Sequence, residues 1–434
     1  MNSFSIHTYF KRTLLVYGDR LLTVAIGFLS VWLLANFLGP AEYGVYAFLL
    51  DFLATGTLLL GINAFAESLI VFIAKERNLS LAHVLLTTGL VLGLFFSGVI
   101  FFFPSFVLSL VNQGSPELIK ALSLVVFFNI TEFLLINALT GSQHFGKILK
   151  MSFLENTFNI VFLGIFLFHF QLGVMGAVYA KTISLLVSSV VGYWFFRHVG
   201  LLKKNIVWKP VLKFTGYSLL LGFMKRFSAQ TLLFFMGLLI SPVKLGFYYL
   251  IQKISTYLID MPVNAFNTVL LPTAAEQNQD IEQVEKFVSM STKFYVILSF
   301  AFAAAFLVFG PLFVTIFFPE FLPAIELVPL FAIYFALTFD IPLGTFYRAI
   351  MRNEVLVQAN LIGLVIMVVA GYWAIQSFGL EGVVGLMVIT RTVQLIYLYW
   401  DVRRHQYKIE FWPRLHDIIF FWNSAKRVIW NKKK

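Results

Sequence analysis

Thirteen ionisable side chains among those within the long apolar runs of this 434-residue chain stand out as groups whose types and spacing could do chemistry. Six are cations, Arg20, Lys181, Lys225, Arg226, Lys253 and Arg391; seven are acids, Asp19, Asp51, Glu67, Glu132, Asp260, Glu326 and Asp340. A charge inside hydrocarbon is costly unless paired or hydrated, so each is a functional candidate by default. Guanidinium and ammonium groups facing a central cavity would hold an anion, and the candidates are Arg20, Lys225, Arg226, Lys253 and Arg391. For Arg20 and Lys225-Arg226 the competing reading is a side chain snorkelling to the near interface. For Lys253 and Arg391 it is a structural ion pair. Among the acids, Asp260-Met261-Pro262 and Asp340-Ile341-Pro342 share an Asp-x-Pro pattern. Proline removes one helix hydrogen bond and frees a carbonyl a turn back, so a carboxylate there sits beside a kink with unpaired polar groups. H+ or Na+ could bind at such a place and bias the bend; the competing reading is a packing kink with a paired acid. Asp51, Glu67 and Glu132 are further ion-coupling candidates, and Glu326, near the end of its run, reads as solvated.

Other chemistries find no residues. The chain has no cysteine, which removes disulfides, thiolate ligands and cysteine nucleophiles. Its seven histidines are scattered, with no HExxH and no pair at ligand spacing, so no metal site is expected. A phosphate-cradling glycine loop and a nucleophile elbow are also lacking. The expectation is a protein that is not an enzyme, with no catalytic residue and no cofactor, and with H+ or Na+ as a coupling ion.

The elements that must position these charges follow from composition. Apolar residues make up 59% of the chain and charged ones 12%, with a mean hydropathy of +0.86, against about 45–50% and about 25% in soluble domains. The apolar residues fall in blocks long enough to cross a hydrocarbon core of about 30 Å as helices, and not in the short alternating segments of an outer-membrane barrel. Twelve spans are expected, near 13–38, 43–73, 82–111, 118–140, 150–170, 173–197, 212–240, 244–271, 287–317, 322–347, 354–377 and 381–402. Gly39-Pro40, Ser115-Pro116, Ser241-Pro242, Pro319 and Gly379 punctuate them. The first span, following Met1 to Arg12, is too long for a signal peptide and reads as retained. Lysine and arginine concentrate in one alternate set of loops, from Lys11-Arg12 to Arg403-Arg404, which places both termini in the cytoplasm. The net charge of +11 is largely this asymmetry, so no nucleic-acid partner is expected.

The chain also repeats. Gly39-Pro40-Ala41-Glu42-Tyr43-Gly44-Val45-Tyr46 follows the first span and Ser241-Pro242-Val243-Lys244-Leu245-Gly246-Phe247-Tyr248 the seventh, with proline, glycine and tyrosine each 202 residues apart. Gly173, Gly176, Tyr193, Trp194 and Arg197 match Gly379, Gly382, Tyr399, Trp400 and Arg403, each 206 apart. An even-span unit repeats in the same orientation, so the halves should be related by an axis along the membrane normal. The expected domains are an N-terminal six-helix lobe, 1–204, a C-terminal six-helix lobe, 205–404, and a cytoplasmic amphipathic basic tail, 405–434, in which Trp412, Trp422 and Trp430 alternate with Arg414, Lys426 and Arg427. By the 202 offset Asp51 corresponds to Lys253, so the repeat is electrically asymmetric there.

The Gly39 to Tyr46 segment, set after a first span that opens on a basic terminus, resembles the LGPxxYGxY turn of the polysaccharide transporters, the O-antigen flippase family. That family shares a superfamily with multidrug extrusion antiporters and lipid II flippases, and the lipid II flippases usually have two further spans. The resemblance implies an all-α, V-shaped, alternating-access transporter. Its implied substrate is an undecaprenyl-diphosphate-linked oligosaccharide, an O-antigen, capsule or related surface polysaccharide unit, carried from the inner to the outer leaflet of the bacterial cytoplasmic membrane under an ion gradient. The diphosphate is the anion that the cavity cations would hold. The expected partners are membrane lipid, the lipid-linked oligosaccharide and other polysaccharide assembly proteins, with the chain itself a monomer. The alternatives are a cation-coupled multidrug antiporter, which would favour a cavity of acids and aromatics over one with cations, and a membrane oligosaccharide polymerase, which would need an ordered catalytic loop that the short outer connections do not offer.

Overall fold

With no water to satisfy N–H and C=O groups in hydrocarbon, apolar runs of this length must form helices, and the computed structural model has no strand among its described residues, which are 6–76, 78–142, 144–199, 205–257, 281–350, 352–414 and 417. The helices are α1 (Ile6–Thr57), α2 (Asn63–Glu76), α3 (Leu79–Phe102), α4 (Pro104–Val111), α5 (Pro116–Gly141), α6 (Phe145–Gly164), α7 (Gly173–Arg197), α8 (Trp208–Leu239), α9 (Pro242–Ser255), α10 (Ile281–Phe317), α11 (Val328–Ala336), α12 (Ile341–Ala349) and α13 (Asn353–Arg404). Their starts follow the expected chemistry. Ser115 and Asn78 cap α5 and α3 through their side chains, and Pro104, Pro116 and Pro242 open helices where their missing N–H has no partner to lose.

Eight helices among the described residues are long and apolar enough to cross a membrane, so the protein is a multi-pass membrane protein. One of them, residues 354–404, has 51 residues; at 1.5 Å per residue that is about 76 Å, more than twice a hydrocarbon core of about 30 Å. Gly379, with φ +58°, breaks it where the eleventh and twelfth expected spans meet, and Gly39, with φ +66°, breaks α1 between the first and second. The expected span 82–111 is divided at Pro104 into α3 and α4, because proline cannot donate to the preceding turn. The expected span 43–73 is interrupted by a π-helical turn, Leu58–Ile62, and 322–347 is built from 3-10 and α segments around Pro319, Pro323, Pro329 and Pro342. The expected span 244–271 continues from α9 into residues 258–280, outside the described ones.

The chain forms two compact units, one of residues 26–250 and 367–380, the other of 1–25, 251–366 and 381–434. The expected lobe boundary at 204/205 falls inside the former, where the two repeated turns meet. A Cβ built on Gly44 would lie 2.2 Å from the Pro242 carbonyl oxygen, and one on Gly246 would lie 2.0 Å from that of Pro40. The contact is therefore reciprocal, as a local two-fold requires, and only glycine fits on either side. The second match repeats the pattern. Gly173 (φ +55°) abuts Glu42 and Gly379 (φ +58°) abuts Lys244, each glycine in the left-handed region. Burial alternates alike along the two turns: Tyr43, Gly44 and Tyr46 are buried, as are Leu245, Gly246 and Tyr248.

In the other unit, Val284, Val288, Leu343, Phe346, Tyr347 and Leu398 form a core that Ile409 and Phe411 complete. Residues 405–414, the start of the expected amphipathic tail, pack against this core and α10. Ser289 on α10 donates to the Lys408 carbonyl and accepts from the Glu410 N–H at 3.0 Å, and Lys293 pairs with Glu410 and Asp417. Their backbone groups find partners on α10, and two apolar side chains enter the core. Most of the tail beyond 414 lies outside the described residues.

Candidate functional site

The second apolar run breaks near its middle, and the break is faced by α8. Gly61 there has φ +104°, a conformation that side-chain-bearing residues rarely adopt. Ser68 and Thr215 share a hydrogen bond of 2.8 Å. A Cβ on Gly61 would meet Leu219, one on Gly222 would lie 3.6 Å from Asn63 Nδ2, and one on Gly56 would lie 3.9 Å from Gln230 Nε2. Arg226 lies four residues from both Gly222 and Gln230, so it occupies the face of α8 that packs on the break. It is half-buried. Two expected acids flank the same break. Asp51 accepts hydrogen bonds from Tyr249 Oη at 3.2 Å and Thr55 Oγ1 at 3.4 Å, and Glu67 accepts from Asn63 Nδ2 at 3.2 Å.

A second cluster is buried among α5, α6 and α7. Glu132 accepts a hydrogen bond from Ser188 Oγ, and Lys181 pairs with Glu155. The register between α6 and α7 is set by three contacts: Lys147 Nζ donating to the Phe195 carbonyl, a Gly192 Cβ that would meet Met151, and a Gly176 Cβ that would meet Phe166. This antiparallel register sets Glu155 beside Ser188 and Asn159 beside Ser184. Glu132, Ser188 and Glu155 thus share one level, and the long side chain of Lys181 reaches down to it. The Tyr46 phenol, fully buried, faces the Lys181–Glu155 pair.

The third group lies in the other unit. Asp340 ends a 3-10 turn, Leu337–Asp340, just before Pro342, so the Asp-x-Pro pattern does mark a helix break. Its carboxylate pairs with Arg391 on α13. Asp340 and Arg391, assigned separately above to ion coupling and to an anionic ligand, are thus partners. Of the remaining candidates, Lys253 is exposed on α9. Asp260 and the side chains of Arg20 and Lys225 lie outside the described residues. Glu155 was missed by sequence reasoning, although an acid in the expected span 150–170 could have been counted with the others. Among the described residues no group of three or more His, Cys, Asp or Glu side chains is placed to hold a metal ion.

Comparison with known proteins adds the lineage. The family described as polysaccharide biosynthesis protein matches residues 33–326. Among solved structures, an inward-facing multidrug resistance MATE family transporter of the MOP superfamily is similar with a TM-score of 0.70 at 17% identity, covering 91% of this chain and 98% of that one. An outward-facing transporter of the same description gives 0.68 at 18% identity, covering 93% and 96%. A MOP superfamily transporter from Pyrococcus furiosus, whose binding pocket of reverse polarity is described as suggesting a different function, gives 0.67 at 17%, covering 91% and 95%. Likeness at these identities shows the fold, which is that of the MOP superfamily transporters. No curated protein matches.

Proposed function

Because the chain belongs to the polysaccharide biosynthesis protein family, which matches it over residues 33–326, we propose that it is a membrane transporter that flips an undecaprenyl-diphosphate-linked oligosaccharide from the inner to the outer leaflet of the bacterial cytoplasmic membrane, drawing on an H+ or Na+ gradient. The observation that carries this reading is the broken second span with Arg226 on the opposing helix face. Interrupted helices put unpaired backbone dipoles at depth, where transporters bind charged cargo. A guanidinium at that place suits a diphosphate through paired N–H donors. Arg226 is assigned to the diphosphate, with Arg20, Lys225 and Lys253 as further holders along its path. Arg391 is assigned to its pair with Asp340. Both termini are placed in the cytoplasm, the two six-helix repeats flank the path, and other polysaccharide assembly enzymes deliver and consume the cargo.

The test is leaflet accessibility of the lipid-linked sugar in liposomes holding the pure protein, with and without a pH or Na+ gradient. Gradient-dependent movement in the wild type, reduced at least tenfold by Arg226→Ala at equal protein level, is the expected result. An immobile lipid with expulsion of a small cationic dye would replace this reading with the multidrug antiporter.

A further inference from the structure

The α5–α7 cluster buries two acids with one base. Glu132 is buried, the Glu155 side chain is 13% exposed, and Lys181 is the one cation beside them among the described residues. With both carboxylates ionised the cluster carries one net negative charge in a membrane interior, which favours taking up one further positive charge. A second observation points the same way. Asn159 stands one turn after Glu155 on the same face of α6, is 8% exposed, and its Oδ1 carbonyl has no hydrogen-bond partner. A buried amide oxygen of this kind is an acceptor awaiting a donor or a cation.

We propose that Glu132, Glu155, Ser188 and Asn159 form a binding site for one monovalent cation, with Lys181 as the resident counter-ion that sets the number at one. The ligand is a proton or a sodium ion, both of which the same carboxylate, hydroxyl and amide oxygens can hold. A proton resides on a carboxylate oxygen at the level where Glu132, Ser188 and Glu155 meet; a sodium ion is shared by the two carboxylates and the Asn159 carbonyl. Among the described residues, the groups facing the site are Tyr46 from α1, Glu155 from α6 and Lys181 and Ser188 from α7. Glu67 on the adjoining α2 is exposed, and His83 lies near the start of α3. The site rests on the flippase reading only in being named the coupling site; its occupancy stands apart from the cargo.

The experiment therefore uses the pure full-length protein in detergent without lipid-linked sugar. Proton uptake is followed by difference titration between wild type and variants, and sodium by equilibrium binding of labelled Na+. One equivalent per chain is expected, lost in Glu132→Gln and in Glu155→Gln, whereas Lys181→Met should take up one equivalent more. Uptake of Na+ identifies sodium, and uptake of H+ alone identifies the proton. Should a single variant fail to fold, the neutral triple variant Glu132→Gln/Glu155→Gln/Lys181→Met keeps the test open, and it should bind none. Equal uptake by wild type and the triple variant, or no gain with Lys181→Met, would overturn the proposal. Failure here with intact gradient-driven flipping would leave the flippase reading standing.

Discussion

The two halves of the repeat carry ionic groups at nearly matching places, yet with different arithmetic. By the 206-residue offset Glu132 falls on Thr338, two residues from Asp340, and Lys181 falls on Met387, one turn from Arg391. Each half thus sets an acid on its fourth span near a base on its sixth. The first half adds Glu155 on its fifth span, where the second has Leu361. In the second half Asp340 and Arg391 neutralise one another. In the first, Lys181 pairs with Glu155 and leaves Glu132 to a serine hydroxyl. The difference teaches that a buried pair of equal and opposite charges is a self-contained structural element, whereas two acids around one base leave a net negative charge for a further cation to neutralise.

The comparison breaks most visibly at the balanced pair. Asp340→Asn or Arg391→Met should each cost about 3 kcal/mol in unfolding free energy, because either leaves a lone charge in apolar surroundings, and the neutral double variant should recover most of it. Denaturant unfolding in detergent measures this; a stable Asp340→Asn chain would show that the pair is not balanced. The repeat that justifies the comparison is tested next. Gly44→Ala and Gly246→Ala should destabilise by about 1–3 kcal/mol each, since either Cβ overlaps a backbone carbonyl. Equal losses are expected because the contact is reciprocal. Gly98→Ala, which would meet nothing within 4 Å, should be neutral or stabilising by up to about 1 kcal/mol.

A smaller effect sharpens the contrast. Glu155→Gln turns the first cluster into a one-to-one pair like the second, so stability should change by less than about 1 kcal/mol, while the Na+-dependent thermal shift and the part of the pH-dependent shift that comes from this cluster disappear. Smallest is the pH response of the strap at 405–414. The hydrogen bond and charge of Lys293 hold Glu410 below the usual carboxylate range. Its contribution is therefore present above the unfolded carboxylate value and is lost as pH falls through the lower folded one. Acid titration of thermal stability should show this loss in the wild type and not in Lys293→Met, and the effect is small because half of the Glu410 side chain meets solvent.

Much of the fold was legible because hydrocarbon imposes local rules. Length and apolarity mark the spans, and Gly39, Pro116, Pro242 and Gly379 mark their ends or breaks, since proline and left-handed glycine act on their own turn. The π-helical interruption at Leu58–Ile62 was not legible: its run Leu58-Leu59-Leu60-Gly61-Ile62 reads as uninterrupted apolar helix, and the break shows itself only once α8 and α3 are packed against it. Lys293 and Ser289 gave no sign of their roles, because their partners lie more than a hundred residues on.

The sequence alone determined that the chain spans a membrane, where most of its spans end, and that its halves repeat, because each property depends on residue type and on separations along the chain. Tertiary structure decided which charges meet. Glu132, Glu155 and Lys181 are one cluster only because α5, α6 and α7 pack in a particular register, and Asp340 and Arg391, assigned opposite roles by type, became partners across 51 residues. A single buried charge declares only that it needs a counter-charge; which side chain supplies it is fixed by helix packing, and nothing local in the sequence encodes that choice.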